Sequence, residues 1–360
     1  MIKTPPPSGS RVKFLSQQEI ILVLITMLWG ATFLIIHHTM EHTGPLFFVG
    51  VRFITAGLMS LLLFRKSLAG MTRYELKAGC MIGVGVFLGY TFQTLGLKTI
   101  SSSQSAFITA LYVPMVPFLQ WAVLRRRPHM MSWVGVFIAF VGLICLTGPD
   151  AASGLSFSPG EVATLLGAVS IAAEIILISR YALRVDSRRV TIVQLLVAGL
   201  LALVFMPVAG EHVPAFSWVW VASGVGLGVM SAVIQFAMNW AQKTISATRA
   251  TVIYAGEPVW AGLVGRIAGE RLPPLAIAGA GLIVLGFWRV KFACRVKRKR
   301  LNCPEPVLSR VSETKDAERK SLLAVQHITC CAPGNIGGGF CIGQQADKLQ
   351  FITILRNLVA

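Results

Sequence analysis

Apolar residues run through this chain in blocks of about twenty, and polar residues collect in the short stretches between them. A helix needs roughly 20 mostly apolar residues to cross a bilayer core of about 30 Å. Ten blocks meet that length, at approximately 19–39, 45–64, 78–97, 102–124, 132–147, 160–180, 190–208, 216–240, 247–266 and 273–292. In lipid a helix satisfies its own backbone polar groups, and no block shows the period-two alternation of a membrane barrel strand. The pattern predicts an all-α, polytopic membrane protein of ten transmembrane helices. The first block, Ile20 to Ile36, outruns a usual signal core, and no small-x-small site follows at His37-His38, so it reads as a retained helix.

Composition agrees with the pattern. Hydrophobic residues make up 54% of the chain, charged residues 13%, and the mean hydropathy is +0.69. A water-soluble surface normally draws on about a quarter of charged residues, so most of this surface faces lipid. The formal charge of +18 would suggest a nucleic-acid partner in a soluble protein. Here the basic residues sit between apolar blocks, so the expected partners are the lipid bilayer and a small-molecule substrate, with no nucleic acid. With the N-terminus inside, the inner segments before the C-terminal tail hold 16 Lys and Arg and the outer loops three, Lys98, Arg266 and Arg271. The positive-inside rule then puts both termini in the cytoplasm. Short loops without a targeting segment fit a bacterial inner (plasma) membrane.

The organisation reads as a cytoplasmic segment 1–18, five helices over 19–147, five more over 160–292, and a tail 293–360. From Cys294 the tail carries five of the seven cysteines, the basic run Lys297-Arg298-Lys299-Arg300 and a glycine cluster at Gly337-Gly338-Gly339. It reads as a disordered basic extension. Its cysteines lack CxxC or Cys/His zinc spacing, and neither a metal nor a cofactor is expected.

The two five-helix halves share a register. Lys98-Thr99-Ile100-Ser101 recurs as Lys243-Thr244-Ile245-Ser246, 145 residues later. Ala106, Pro114, Gly135 and Gly142 match Ala250, Pro258, Gly279 and Gly286 at an offset of 144, and Ala56-Gly57-Leu58 matches Ala198-Gly199-Leu200. Five is odd, so a second copy enters the bilayer from the opposite side. Inverted repeats are the architecture of many alternating-access transporters, with the substrate near the midplane between the halves.

Charges deep in a span are costly and mark functional candidates. Three stand out: Arg52 in the second block, Glu174 in the sixth and Glu257 in the ninth. Tyr254, Glu257 and Trp260 recur at three-residue spacing, which places them on one helix face, and Pro258 loosens the helix beside the carboxylate. Arg52 suits an anionic substrate group or serves as a fixed counter-charge to either glutamate. Ser231, Gln235 and Asn239 recur at four-residue spacing as a polar stripe on one face, with Tyr90 and Gln93 as candidates for the symmetry-related wall. Each set lines a cavity or acts as interhelical glue. Trp29 lies mid-span before Gly30. The glycines Gly79, Gly83, Gly85 and Gly89 suit close helix packing, and His37, His38 and His42 form an interfacial cluster.

These residues resemble a known pattern. Trp29-Gly30-Ala31-Thr32-Phe33 in the first helix, Pro45 followed by Arg52-Phe53 and Ala56-Gly57 in the second, Ala106 to Pro114 answered by Ala250 to Pro258, and Gly269-Glu270-Arg271 before the tenth resemble the EamA-type, ten-helix members of the drug/metabolite transporter superfamily. The resemblance covers about residues 18–292. It implies two inverted five-helix repeats around a central cavity, and export of metabolites, amino acids or drugs. Trp29, Arg52, Pro114 and Pro258 fall on the family's recurrent positions. Where the first repeat would carry a Glu-Arg pair, this chain has Arg125-Arg126-Arg127.

The leading expectation is a secondary-active transporter, an exporter working by alternating access and not an enzyme. Trp29, Arg52, Tyr90, Gln93, Glu174, Gln235, Tyr254, Glu257 and Trp260 would bind substrate, and Pro114 and Pro258 would serve as helix hinges. The alternative is an intramembrane enzyme acting on lipid or isoprenoid substrates. No HExxH, GxSxG or GxxxxGK[ST] sequence is present to favour it or ATP-driven pumping. A homodimer is left open.

Overall fold

In a computed structural model of the chain, the described residues are 16–100, 102–125, 130–147, 158–260, 263, 278–279 and 281–286. Segment 1–15, Gly269-Glu270-Arg271, most of the tenth block and the tail lie outside them.

The long helices start where the sequence supplies an acceptor for their free N–H groups. Ser16 and Glu19 form a capping box at the head of α1 (Gln17–Thr39), Thr72 and Glu75 at α3 (Arg73–Leu97), and Ser158 and Glu161 at α7 (Pro159–Tyr181). The boxes of α1 and α7 are repeat equivalents, 142 residues apart. Asp186 caps α8 (Ser187–Val208) and Ser217 caps α9 (Trp218–Ala241). α2 (Pro45–Phe64) begins after Gly44, which has no side chain to cap it. The carboxylate of Glu211, 165 residues away, accepts instead from the N–H groups of Leu46 (3.0 Å) and Phe47 (3.1 Å).

Six of these helices, α1, α2, α3, α7, α8 and α9, are long and apolar enough to span a membrane. Their outward faces carry exposed apolar side chains such as Leu62, Val204 and Trp218, as a lipid-facing surface requires. The predicted fourth span is not one helix. It divides into α4 (Ser102–Thr109) and α5 (Tyr112–Leu124) around a turn at Ala110-Leu111. The predicted ninth span divides likewise, into α10 (Ala247–Tyr254) and a turn of helix at 257–260, around Ala255-Gly256. A proline ring clashes with the carbonyl four residues before it. Those carbonyls belong to Ala110 and Tyr254, at the two breaks. The fifth span is α6 (Met130–Thr147), and a helical stretch survives in the tenth at 281–286.

The helices pair across the repeats. α3 lies along α7 and α8, α2 along α8 and α9, α1 along α9 and α10, and α5 along α7 and α10. Exchanging the repeats maps this set onto itself: α1 with α9 becomes α7 with α3, and α2 with α9 becomes α8 with α3.

Close glycine contacts fix the sense of this symmetry. A methyl group on Gly57 would lie 2.6 Å from Leu196, and one on Gly199 would lie 2.6 Å from the Ile54 backbone nitrogen. Gly57 and Gly199 are equivalent at an offset of 142, as are Ile54 and Leu196. Residue i therefore meets j of the other half while j meets i, the signature of a two-fold axis. Along α2 and α8 one partner rises in number as the other falls, so these equivalent helices run antiparallel. The second repeat is inverted. The fifth and tenth helices repeat the motif, with Gly142 against the Gly279 carbonyl and Gly286 against the Gly135 carbonyl.

Candidate functional site

The middle of the helix assembly is aromatic and polar. Arg52, 1% exposed, reaches from α2 and donates from Nε to Ser231 Oγ on α9 at 2.8 Å. Its guanidinium carbon lies 5.0 Å from the centre of the Tyr90 ring and 5.5 Å from that of Phe53, within cation–π range. Its Nη2 has no hydrogen-bond partner among the described residues. A buried guanidinium nitrogen without an acceptor is costly to maintain, and it is a ready donor to an incoming anionic group.

Besides Arg52 over its ring, Tyr90 is held by two aromatic neighbours. Trp29 Nε1 on α1 donates to its hydroxyl at 3.1 Å, and Phe53 packs edge-on at 4.9 Å between ring centres. Trp29 in turn meets Tyr254 edge-on at 5.5 Å. Trp29, Arg52, Tyr90 and Tyr254 thus form one contiguous cluster drawn from four helices and both repeats.

Glu174, on α7, is 1% exposed and accepts from Gln235 Nε2 at 2.9 Å. Gln235 Oε1 accepts from Gln194 Nε2 at 2.8 Å, and Gln194 Oε1 from Asn239 Nδ2 at 3.0 Å. Glu257 is buried just past the break that precedes Pro258, and no hydrogen bond or ion pair joins it to a described residue. Tyr90 lies within electrostatic reach of the three mid-span charges, Arg52, Glu174 and Glu257.

Several expectations need correcting. As a counter-charge to a glutamate, Arg52 would show an ion pair; among the described residues it shows none, and its contacts are Ser231 and two rings. The break at Ala255-Gly256 interrupts the three-residue stripe of Tyr254, Glu257 and Trp260. Trp260 donates from Nε1 to Thr26 Oγ1 on α1 at 3.1 Å, while the Tyr254 hydroxyl faces Gln242. Gln93 donates to Thr109 Oγ1 at 3.2 Å, beside the first break rather than among the rings. Pro114 lies in the first turn of α5 and Pro258 in the first turn after the second break.

Two neighbours escaped the sequence reading. Tyr112, buried at the start of α5, lies within electrostatic reach of Glu257, Tyr254 and Tyr90; a tyrosine two residues before a proline carries no distinguishing pattern. Gln194 did leave a signal. It stands 142 residues after Arg52, at the equivalent place on α8, and Gln235 stands 145 after Tyr90. The arginine–tyrosine pair of one repeat is therefore an amide–amide pair in the other.

The model for the EamA-like transporter family matches the chain twice, over residues 17–148 and 158–290. The chain belongs to the EamA-like transporter family. An Archaeoglobus fulgidus protein named as an uncharacterized transporter is 30% identical over 265 residues, 73% of this chain and 82% of that one. The Escherichia coli K12 inner membrane transporter YedA, named as uncharacterized, is 28% identical over 274 residues, 73% of this chain and 87% of its own. A protein crystal structure aligns with a TM-score of 0.64 at 18% identity, covering 78% of this chain and 99% of that one, a likeness of fold. This family member is thus a multi-pass membrane transporter.

Proposed function

We propose that this EamA-like protein is a secondary-active exporter of small metabolites, amino acids or drugs, working by alternating access between its two repeats. The observation that carries the reading is the placement of Arg52, with Nη2 unpartnered among the described residues, inside an aromatic cluster built from both inverted halves. Arg52 receives an anionic or strongly accepting substrate group. Glu257, within electrostatic reach of the same Tyr90, takes a cationic or donor group, and Trp29, Tyr90 and Tyr254 stack against the apolar part. Gln93 and Trp260 sit beside the two helix breaks and couple them to α3 and α1. The breaks before Pro114 and Pro258 let half-helices tilt without tearing a continuous backbone ladder.

The membrane is the inner (plasma) membrane, as in the printed name of the Escherichia coli relative, with both termini cytoplasmic. The loop charges, 16 against three, support that orientation. The test is thermal stability of the purified protein against phenylalanine, adenosine, tetraphenylphosphonium and citrate. A probe at about 100 times its dissociation constant stabilises by about 2.7 kcal/mol when it binds only the folded form. The expected result is a shift with at least one probe that is lost in Arg52→Gln or Glu257→Gln. A shift unchanged in both variants would overturn the site.

A further inference from the structure

Glu174 has a route of its own to one membrane face. From its carboxylate, Gln235, Gln194 and Asn239 follow in a single file of hydrogen bonds of 2.8–3.0 Å. Asn239 Nδ2 also donates to Thr191 Oγ1 at 3.0 Å, and Thr191 donates to the Ser187 carbonyl at 2.7 Å. Ser187 Oγ returns to the Asn239 carbonyl at 3.2 Å. Each of these side chains is at most 4% exposed. At about 1.5 Å of rise per residue, Glu174 lies roughly 10 Å from the end of α7, and Gln194, Thr191 and Ser187 step outward along α8 to its first residue. That end bears Arg180, Arg184, Arg188, Arg189 and Lys243.

From Asn239 inward the file has one polarity. Asn239 donates to Gln194, Gln194 to Gln235 and Gln235 to the carboxylate, so these dipoles favour the ionised carboxylate, while outward Asn239 donates to Thr191 Oγ1 and Thr191 to the Ser187 carbonyl. Only one carboxyl oxygen is used, and among the described residues no ion pair neutralises the group. The titratable groups that face it are Tyr90 from α3 and Tyr254 from α10. From α9 comes the neutral Gln235, α4 (Ser102–Thr109) carries no titratable side chain, and from α5 Tyr112 is within electrostatic reach of Glu257 and Tyr254 instead. A carboxyl in that setting can be neutral when the file is dry and sealed, and ionised when water enters between the amides. Interhelical polar glue alone would not need to begin at an acid and end at the membrane surface.

We propose that Glu174 carries the coupling proton of this transporter and exchanges it with the face at which α8 begins, through the file Gln235–Gln194–Asn239–Thr191. The proposal rests on the transporter reading above and separates two tasks that the buried acids could share. Glu257 meets substrate, while Glu174 takes a proton from water at one face and gives it up when the repeats rock toward the other. The proton crosses on water that enters between the amides rather than through their N–H bonds, so only O–H bonds are made and broken, and one proton moves per carboxyl.

The experiment labels the full-length wild-type protein in liposomes with dicyclohexylcarbodiimide, which attacks protonated carboxyls in apolar surroundings, and maps adducts by mass spectrometry across pH. Glu174 should be modified, with at least a tenfold fall in labelling between the acidic and alkaline limits. Gln194→Leu and Asn239→Leu interrupt the file and remove support for the anion, so the half-labelling pH should rise by about one unit. Ser170→Ala, whose hydroxyl bonds Leu166 on the exposed face, should leave it in place. Absent or pH-independent labelling of Glu174 in folded wild type, or an unmoved midpoint in both file variants, would overturn the proposal. In the same vesicles, trapped pyranine reads proton movement when the four probes are added. Movement that persists in Glu174→Gln would also overturn it. Failure of wild type to bind or move any probe would sink the transporter reading instead, with the labelling still deciding whether Glu174 titrates through the file.

Discussion

Gly226 and Gly228 stand two residues apart on α9 and face opposite environments, so one substitution made at each measures how tightly the inverted halves are joined. A methyl group at Gly228 would lie 2.7 Å from Thr55 Cβ and 2.8 Å from the Arg52 carbonyl oxygen, whereas one at Gly226 would meet nothing within 4 Å. The obstructing carbonyl is backbone of α2 and cannot rotate aside, so α2 and α9 must separate by some tenths of an ångström. Overpacking of that kind costs about 1–3 kcal/mol. In water, alanine would recover up to about 1 kcal/mol from helix propensity. In a bilayer the separated helices remain helical, so that gain cancels and the steric cost stands. Equilibrium unfolding in mixed micelles over increasing dodecyl sulfate fraction should place Gly228→Ala about 1–3 kcal/mol below wild type and Gly226→Ala within about 0.5 kcal/mol of it. Equal losses at the two positions, or none at Gly228, would refute the packing of α2 on α9 described above.

Other outcomes are equally open to measurement. Arg189 donates to the carbonyls of Ser67, Ala69 and Gly70 and pairs with Glu75 at 3.0 Å, so Arg189→Ala should raise trypsin cleavage at Arg65 and Lys66 several-fold while the core stays folded; unchanged cleavage would mean that the segment holds itself. Glu19, buried at the head of α1, pairs with the partly exposed Arg249 on α10. Removing one partner of a fully buried pair costs about 3–5 kcal/mol, and solvent at the arginine lowers that, so Arg249→Met should cost roughly 1–3 kcal/mol in the same micelle titration. Asp186, the cap of α8, is pushed up by burial, but hydrogen bonds from the Arg188 side chain and backbone outweigh this and hold it below the usual aspartate range. A depressed folded value means that its stabilisation is present above about pH 4 and fades as the pH falls through the folded value. Asp186→Asn should flatten the acid limb of stability against pH, and an unchanged limb would remove Asp186 as its source.

The spans were legible because lipid imposes a length and the cap residues punctuate it. Six helices lie where apolar blocks of the right length were read, and α1 and α7 open on Ser-to-Glu boxes visible in the sequence. The two helix breaks were only half legible. Pro114 and Pro258 marked the positions, but a proline disturbs the carbonyl four residues earlier, so each turn falls on the N-terminal side of the residue that causes it. The site was less legible because its contacts cross the repeats. Arg52 looked like a counter-ion when only its charge was visible. Its hydroxyl and aromatic neighbours lie 179 residues away at Ser231 and 38 residues away at Tyr90, distances over which no periodicity carries. Gln194 could have been found by applying the repeat offset to Arg52, since the framework is symmetric there even though the side chains are not.

That mismatch bears on how a duplicated protein acquires direction. The backbone obeys the two-fold closely enough that Gly57 meets Leu196 as Gly199 meets Ile54, so neither repeat is mechanically privileged. Polarity has to come from side chains at equivalent places. At one, Arg52 lies over Tyr90; at its counterpart, Gln194 is bonded to Gln235 and through it to Glu174. The first arrangement leaves a cation with a donor to spare, and the second leads an acid out to one membrane face. Exchanging the repeats by rocking would therefore exchange unlike environments around a bound solute. On this view Arg52→Gln combined with Gln194→Arg would move the cation to the opposite half. If side chains alone set polarity, the buried file from Glu174 should break in the double variant, and carbodiimide labelling of Glu174 should shift to lower pH, because a cation would then stand just beyond Gln235, its hydrogen-bond partner. A labelling profile like that of wild type would mean that the asymmetry lies in the backbone after all.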